Sequence, residues 1–147
     1  MRLEYLCDLE MSYREEPVSG TKFVIIRPYG SDEGSGYGEL DGTVDGDKLR
    51  GTLRCVNHPR RRSDGVMLPD AHGVIRTDDD AVICFSLQGR TFFENETGKQ
   101  LLTTVFETED PRYAWLNQAW CVLEGIIDSV RLGMRARIYQ CIHDLAT

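Results

Sequence analysis

Apolar and polar residues alternate along several short stretches of the chain, beginning at its N-terminus. Every second residue from 3 to 11 is apolar, mostly charged residues lie between them, and only Leu6 interrupts the alternation. Because successive side chains of a strand point to opposite faces, a period of two residues predicts a β-strand with one buried face. Residues 135–142 alternate in the same way, and we expect a second strand there.

Other segments are rich in β-branched and aromatic residues and are bounded by glycine, proline or acidic turns, which is typical of strands. The strands predicted in this way cover residues 22–29, 37–44, 49–56, 72–77, 81–87, 90–93 and 101–107. Asp45-Gly46 indicates a hairpin turn, and residues 95–98 a further turn. Residues 12–20 and 57–69 are polar, contain proline and are predicted to be loops. Residues 113–125 fit a helix or a strand, and their composition favours a strand over 118–124.

These elements predict an all-β protein, because no segment has the pattern of a long amphipathic helix. About eight to ten short strands at regular spacing form either a sandwich or a closed antiparallel barrel. We favour the barrel, since closure leaves no unpaired edge strand, and a barrel of about eight strands can hold one small ligand. The length of 147 residues suits one domain spanning residues 1–147.

The amino-acid composition limits the cellular compartments and the classes of binding partner that we expect. The 24 acidic and 17 basic residues give a net charge of −7, which argues against nucleic acid as a partner. No apolar run reaches the length of a membrane span, and the first residues lack the pattern of a secretory signal. The 5 cysteines are an odd number without a Cys-x-x-Cys pair, so we expect reduced thiols and a cytoplasmic protein.

Several segments together resemble a known family. They are residues 42–51, Asp64-Gly65, residues 73–83, Gly89-Arg90 and residues 113–117. In their order and spacing they resemble the small bacterial and fungal β-barrel family called domain of unknown function DUF3237. The resemblance implies a closed, lipocalin-like antiparallel barrel with a central cavity, and it implies no general activity. Asp80 stands where that family usually has glycine, so we expect a slightly different turn there.

The polar loop after the fourth predicted strand is the strongest candidate site. It brings together Asn57, His58, Arg62 and Asp64 beside the expected barrel mouth. Guanidinium groups bind carboxylates or phosphates through paired hydrogen bonds, and an imidazole can transfer a proton near neutral pH. An acidic organic ligand would fit such a mouth. The alternative is a solvated loop whose arginines pair with nearby aspartates.

Two further groups of residues are candidates if their side chains face the lumen. His72 beside Asp64 would form a general base with an orienting carboxylate, although a lone histidine opening a strand is more often structural. Arg54 lies on a polar strand face that is either the outside or the lumen. Further ligand-binding candidates are Trp115, Asn117 and Tyr139. Trp115 and Asn117 would share a face of an extended segment, or else plug the barrel.

Three functions remain open from the sequence. The first is a cofactor-free isomerase, cyclase or hydrolase that acts by acid–base chemistry on a modest acidic or carbonyl compound. In it His72 or His58 would transfer the proton and Asp64 would orient that histidine. Arg62 with Asn117 would hold a carboxylate or oxyanion. The second is a non-catalytic carrier or sensor, and the third is an oligomeric interaction module with a packed lumen. We predict no metal and no cofactor, because the spacing and motifs that bind them are missing, and we expect a homodimer.

Overall fold

Eight long antiparallel strands close into a barrel in the computed structural model, which describes residues 1–17 and 20–146. The strands are β1 (Arg2–Tyr13), β2 (Val24–Ile26), β3 (Gly34–Asp45), β4 (Arg50–Asn57), β5 (Arg60–Arg61), β6 (Met67–Leu68), β7 (Asp70–Thr77), β8 (Val82–Glu94), β9 (Thr97–Glu107), β10 (Cys121–Asp128) and β11 (Gly133–Ile142). The barrel order is β1, β3, β4, β7, β8, β9, β10 and β11, and β11 pairs with β1 again. The prediction of a closed antiparallel barrel is confirmed.

The three short strands lie at one end of the barrel and differ from the sequence prediction. The strand expected over residues 22–29 is reduced to β2, which pairs with the start of β3. The loop expected over residues 57–69 contains β5 and β6, which link β3 to β8. The two strands expected between residues 81 and 93 are one continuous strand, β8. Of the loop predicted over residues 12–20, Val18 and Ser19 lie outside the described residues.

Leu6, the residue that interrupts the N-terminal alternation, marks a β-bulge. The pairing of β1 with β11 shifts between Tyr5 and Cys7, so Leu6 has no partner of its own in the ladder. As a result Leu6 and Cys7 are both buried, whereas Tyr5 before the bulge is 54% exposed. An unbroken period of two would place Tyr5 and Cys7 on the same face of β1. Because of the bulge, they lie on opposite faces.

A 3₁₀ helix, Pro111–Gln118, closes the end of the barrel opposite the short strands. Asp110 caps it by accepting a hydrogen bond from the backbone N–H of Arg112, and Leu116 is fully buried beneath it. The segment for which helix and strand were both open is thus divided between this helix and β10. Most of the largest fully buried side chains fill the half of the barrel next to this helix, among them Leu9, Ile75, Ile83, Phe106, Leu116, Leu123 and Ile138. We call it the packed half.

The turn between β7 and β8 explains the departure at Asp80. This residue has a φ of 68°, in the left-handed region that glycine adopts freely and aspartate tolerates. Its carboxylate accepts a hydrogen bond from Arg76 at 2.8 Å. Aspartate thus occupies a backbone conformation that suits the family's usual glycine.

In the part of the chain that the structure describes, helix is found at this end alone. Among residues 1–17 and 20–146, no helix has the length and apolar character required to cross a membrane.

Candidate ligand-binding site

The half of the barrel next to the short strands encloses a cavity of about 620 Å³ that opens to solvent. We call it the open half. Its walls are mainly the inward side chains of β1, β3, β7, β8, β9 and β11, with β2 and the loop around β6 at the mouth. The apolar side chains that line it include Met11, Phe23, Leu40, Met67, Ala71, Leu87, Leu102 and Met134. Cavities of this size and character are typical of small-molecule sites.

Tyr13 and Asn57 form a polar pair in the wall of this cavity. The Asn57 amide donates a hydrogen bond to the Tyr13 hydroxyl, with 3.0 Å between Nδ2 and Oη. Its Oδ1 accepts a hydrogen bond from the backbone N–H of Asp70 at 3.1 Å, which fixes the orientation of the amide. Burial raises the pKa of the Tyr13 hydroxyl to about 12, although the bond from Asn57 acts in the opposite direction. The hydroxyl therefore keeps its proton at neutral pH.

A second polar pair lies on the neighbouring strands β8 and β9. The Gln100 amide donates to the Thr91 hydroxyl at 3.2 Å, and both residues are buried and line the cavity. The amide oxygen of Gln100 has no hydrogen-bond partner among the described residues. A side chain at Gly125 would come within 3.1 Å of this oxygen, so the oxygen lies against β10.

Two charged residues stand at the mouth. Asp64 lines it, but its carboxylate accepts hydrogen bonds from both Nε and Nη2 of Arg62. This pairing is the main cause that lowers the pKa of Asp64 to about 2. Arg61 is half-buried and lines the cavity as well. Within residues 1–17 and 20–146, the Arg61 side chain makes neither an ion pair nor a hydrogen bond.

The structure places His72, His58 and Arg54 outside the cavity. His72 lies on the outer face of β7, because the alternate residues Ala71 and Ile75 face inward. Its ring bonds the Asp70 carboxylate at 2.9 Å, so the expected pairing of His72 with Asp64 does not form. His58 is exposed and contacts the ring of Tyr37 edge-on. Arg54 is on the outer face of β4 and pairs with Asp41.

Three other candidates lie outside the open half as well. Trp115 and Asn117 belong to the 3₁₀ helix at the packed end, where residues two apart do not share a face. Asn117 bonds the backbone of Thr108 in both directions, at 2.8 Å and 2.9 Å, and Lys48 lies 5.9 Å from the Trp115 ring. Tyr139 is on the outer face of β11 and bonds Glu124. Arg62 is held by Asp64 at the mouth.

Of the predicted site residues, only Asn57 and Asp64 line the cavity, and sequence reasoning missed Tyr13, Arg61, Thr91 and Gln100. The sequence contains a pattern that could have identified two of these residues, Tyr13 and Gln100. Tyr13 continues the alternation of β1 by one further step, and Gln100 precedes Leu102, Thr104 and Phe106 on the buried face of β9. A polar residue that continues an apolar face is a candidate for a functional position.

No group of three or more histidine, cysteine, aspartate or glutamate side chains in the described residues could hold a metal ion.

Comparison with known proteins matches the chain to a family and to solved barrels. The family model described as "Protein of unknown function (DUF3237)" matches residues 23–141. A β-barrel-like protein from Acinetobacter baumannii is 20% identical with a TM-score of 0.79, over 95% of this chain and 94% of that one. A protein of unknown function from Clostridium acetobutylicum is 17% identical with a TM-score of 0.77, over 97% of this chain and 100% of that one.

A structure described as an enzyme from Penicillium herquei is also similar. It is 20% identical with a TM-score of 0.68, over 95% of this chain and 94% of that one. The curated proteins contain no match to this sequence. At such identities the solved structures establish a shared fold.

Proposed function

The chain belongs to the DUF3237 family, and because that family's name carries no activity, we propose from its own residues that the protein binds a small, mainly apolar organic acid. The observation that carries this proposal is the cavity of about 620 Å³ in the open half of the barrel. A lumen filled by side chains along its whole length would favour an interaction module instead. Here only the packed half is filled, so a ligand-binding barrel is the better supported function.

The acidic group of the proposed ligand follows from the mouth of the cavity. Arg61 lines the cavity, and no carboxylate among the described residues pairs with its guanidinium. Asp64 is close in sequence but is already held by Arg62. A half-buried cation without a counter-ion at the edge of an apolar cavity favours a ligand whose anionic group reaches the mouth.

The same residues favour binding over the acid–base mechanism considered from the sequence. The titratable side chains that line the cavity, in the part of the chain described, are Tyr13, Arg61 and Asp64. Tyr13 keeps its proton, and the pKa of Asp64 is about 2, which makes its carboxylate a weak base. His72 and His58 are directed away from the cavity. A carrier or sensor is therefore our first choice and a cofactor-free enzyme the second.

The enzyme alternative is kept because one similar barrel, from Penicillium herquei, is described as an enzyme. To distinguish an enzyme from a carrier, the protein is incubated with the ligands that bind, and mass spectrometry shows whether they are converted. Conversion that needs the intact cavity would favour the enzyme, and tight binding without conversion would favour the carrier. The homodimer predicted from the sequence stays a prediction, to be checked by light scattering on a sizing column.

Calorimetric titration with aromatic acids of graded size tests the binding proposal directly. Para-benzoylbenzoate is a suitable first probe, because it joins a carboxylate to a bulky apolar body. Ala71→Phe places a ring in the cavity and is expected to abolish binding, whereas Val74→Phe on the outer face of the same strand leaves it unchanged. If no acid binds, or if both variants bind as well as the parent protein, the proposal is wrong.

A further inference from the structure

Two donor groups of the cavity wall lie side by side, and each keeps one hydrogen without an acceptor. The Tyr13 hydroxyl oxygen and Asn57 Nδ2 are 3.0 Å apart, and one amide hydrogen joins them. The hydroxyl hydrogen and the second amide hydrogen remain, and none of the described residues accepts either of them. A buried donor without an acceptor costs free energy unless a bound molecule or water provides one.

Both donors are held rigidly by their surroundings. The Tyr13 ring lies over Gly38, where a Cβ would be 2.2 Å from its Cε1, and it packs edge-on against Phe23 with 5.2 Å between the ring centres. Asn57 cannot exchange its oxygen and nitrogen without losing the bond from the Asp70 backbone. The pair is therefore organised before any ligand arrives, which lowers the entropic cost of recognition.

The chemistry of the pair selects an acceptor. The bond from Asn57 withdraws electron density from the Tyr13 oxygen and makes its hydroxyl a stronger donor. Burial nevertheless keeps the pKa of this hydroxyl well above neutral pH, so the hydroxyl retains its hydrogen and can donate it in a hydrogen bond. The Tyr13 hydroxyl can therefore donate its hydrogen to one ligand oxygen, while Asn57 holds and polarises the hydroxyl.

We infer that the Tyr13 hydroxyl, held and polarised by Asn57, donates a hydrogen bond to a carbonyl oxygen of the ligand, which makes the preferred ligand a keto acid with a mainly apolar body. This inference rests on the proposed function, since it requires a molecule in the same cavity. It assigns separate places to the two polar groups of that molecule: the carbonyl lies at the Tyr13–Asn57 pair and the carboxylate at Arg61. The same hydroxyl would stabilise the oxygen further if it carried more negative charge, as in an enolate.

A pair of probes that differ only at the carbonyl tests the inference. Para-benzoylbenzoate carries a ketone between its rings, and para-benzylbenzoate carries a methylene group at that position. Both have the carboxylate and the two rings. We expect the parent protein to bind the ketone about ten-fold more tightly, the effect of one good hydrogen bond.

Variants of the pair should remove this preference. Tyr13→Phe deletes the donor, and we expect the ratio of the two dissociation constants to fall close to one. Asn57→Asp keeps an acceptor for the Asp70 backbone, but its carboxylate would accept the Tyr13 hydrogen in place of the ligand, so the ratio falls here too. Tyr139→Phe removes a hydroxyl from the outer face and serves as the control, with the preference retained.

A spectroscopic measurement locates the carbonyl independently of affinity. The ketone carbon of ¹³C-labelled para-benzoylbenzoate is expected to resonate downfield on binding, because hydrogen bonding polarises the carbonyl. Tyr13→Phe should move the signal back towards its position in an apolar solvent. In Tyr139→Phe the chemical shift of the bound ketone carbon should equal that in the parent protein.

The outcomes separate the two proposals. If both probes bind equally and the ketone signal does not respond to Tyr13→Phe, the carbonyl site is wrong while the binding cavity stands. If Tyr13→Phe weakens both probes by the same factor, Tyr13 acts through packing and the inference is likewise overturned. If neither probe binds the parent protein, the binding cavity fails and the carbonyl site fails with it.

Discussion

Gly38 is the residue that allows Tyr13 to reach Asn57 across β3. A Cβ at this position would lie 2.2 Å and 2.5 Å from two ring carbons of Tyr13. We expect Gly38→Ala to displace the ring and to lower the free energy of unfolding by about 1–3 kcal/mol, the usual effect of overpacking. Urea unfolding of Gly38→Ala and Gly133→Ala measures this, since a Cβ at Gly133 meets nothing within 4 Å. Equal effects at the two positions would contradict the close approach.

Arg61 and Arg60 are adjacent on β5 but differ in their surroundings. Arg61 lines the cavity and is half-buried, whereas Arg60 is exposed and does not line it. We expect Arg61→Met to weaken para-benzoylbenzoate by about ten-fold, since a charged hydrogen bond is lost. Benzophenone, which lacks the carboxylate, should bind Arg61→Met as it binds the parent protein. Calorimetry of Arg60→Met supplies the control, and an equal loss in both variants would place the anionic group elsewhere.

At the scale of elements, the long strands could be predicted from the sequence, whereas the short strands at the mouth of the cavity could not. Strand alternation follows from the burial of one face, a property that is local to each segment. The short strands β2, β5 and β6 have few residues, and they form only because β3 and β8 offer unpaired edges beside them. Pairing partners that are distant in sequence leave no local period.

The candidate site illustrates the same limit. His72 and Arg54 lie on strands whose two faces were both plausible for a ligand-binding lumen. The polar face proved to be the outer one, because Ile75 and Leu53 on the opposite faces complete the core. Asn57 was recognised since it ends β4 beside the mouth, whereas Tyr13 reaches the cavity through a diagonal contact over Gly38. A contact between strands that are far apart in the chain cannot be inferred from one sequence.

The 3₁₀ helix is the element that closes the packed half, and Leu116 is its buried anchor. Leu116 has no solvent exposure, while Leu101 on β9 is 64% exposed. We expect Leu116→Ala to lower the free energy of unfolding by about 2–5 kcal/mol, because it leaves a cavity in the core. Leu101→Ala should change it by less than about 0.5 kcal/mol. Urea unfolding followed by circular dichroism compares the two, and similar values would show that the helix does not seal the barrel.

In the whole molecule, the packed core and the cavity occupy opposite ends of one sheet. The packed half supplies most of the fully buried side chains, and the open half leaves room for a ligand. Each long strand passes through both halves, so its inward residues change from core to cavity wall along its length. On β9, for example, Phe106 is in the core while Gln100 lines the cavity. A strand buried in one half is thereby able to hold polar groups rigidly in the other.

The buried thiols of the barrel are expected to lower its free energy of unfolding as the pH rises above 9. Burial raises the pKa of Cys7 and Cys55 to about 12 and that of Cys121 to about 11, from an ordinary value of 9.0. Between these values the unfolded chain has lost protons that the folded protein keeps. The stability due to each thiol is therefore complete below pH 9 and decreases as the pH rises towards 12, by about 1.4 kcal/mol per pH unit.

Removing one buried thiol should make this alkaline decrease shallower. We expect Cys7→Ala to lose about 1.4 kcal/mol per pH unit less than the parent protein above pH 9, although it is less stable at neutral pH. Cys84 is exposed, so Cys84→Ala should decline with pH as the parent protein does. Urea unfolding under reducing conditions at several alkaline pH values gives the slopes. Parallel curves for Cys7→Ala and Cys84→Ala would mean that the Cys7 thiol ionises as readily in the folded barrel as in the unfolded chain.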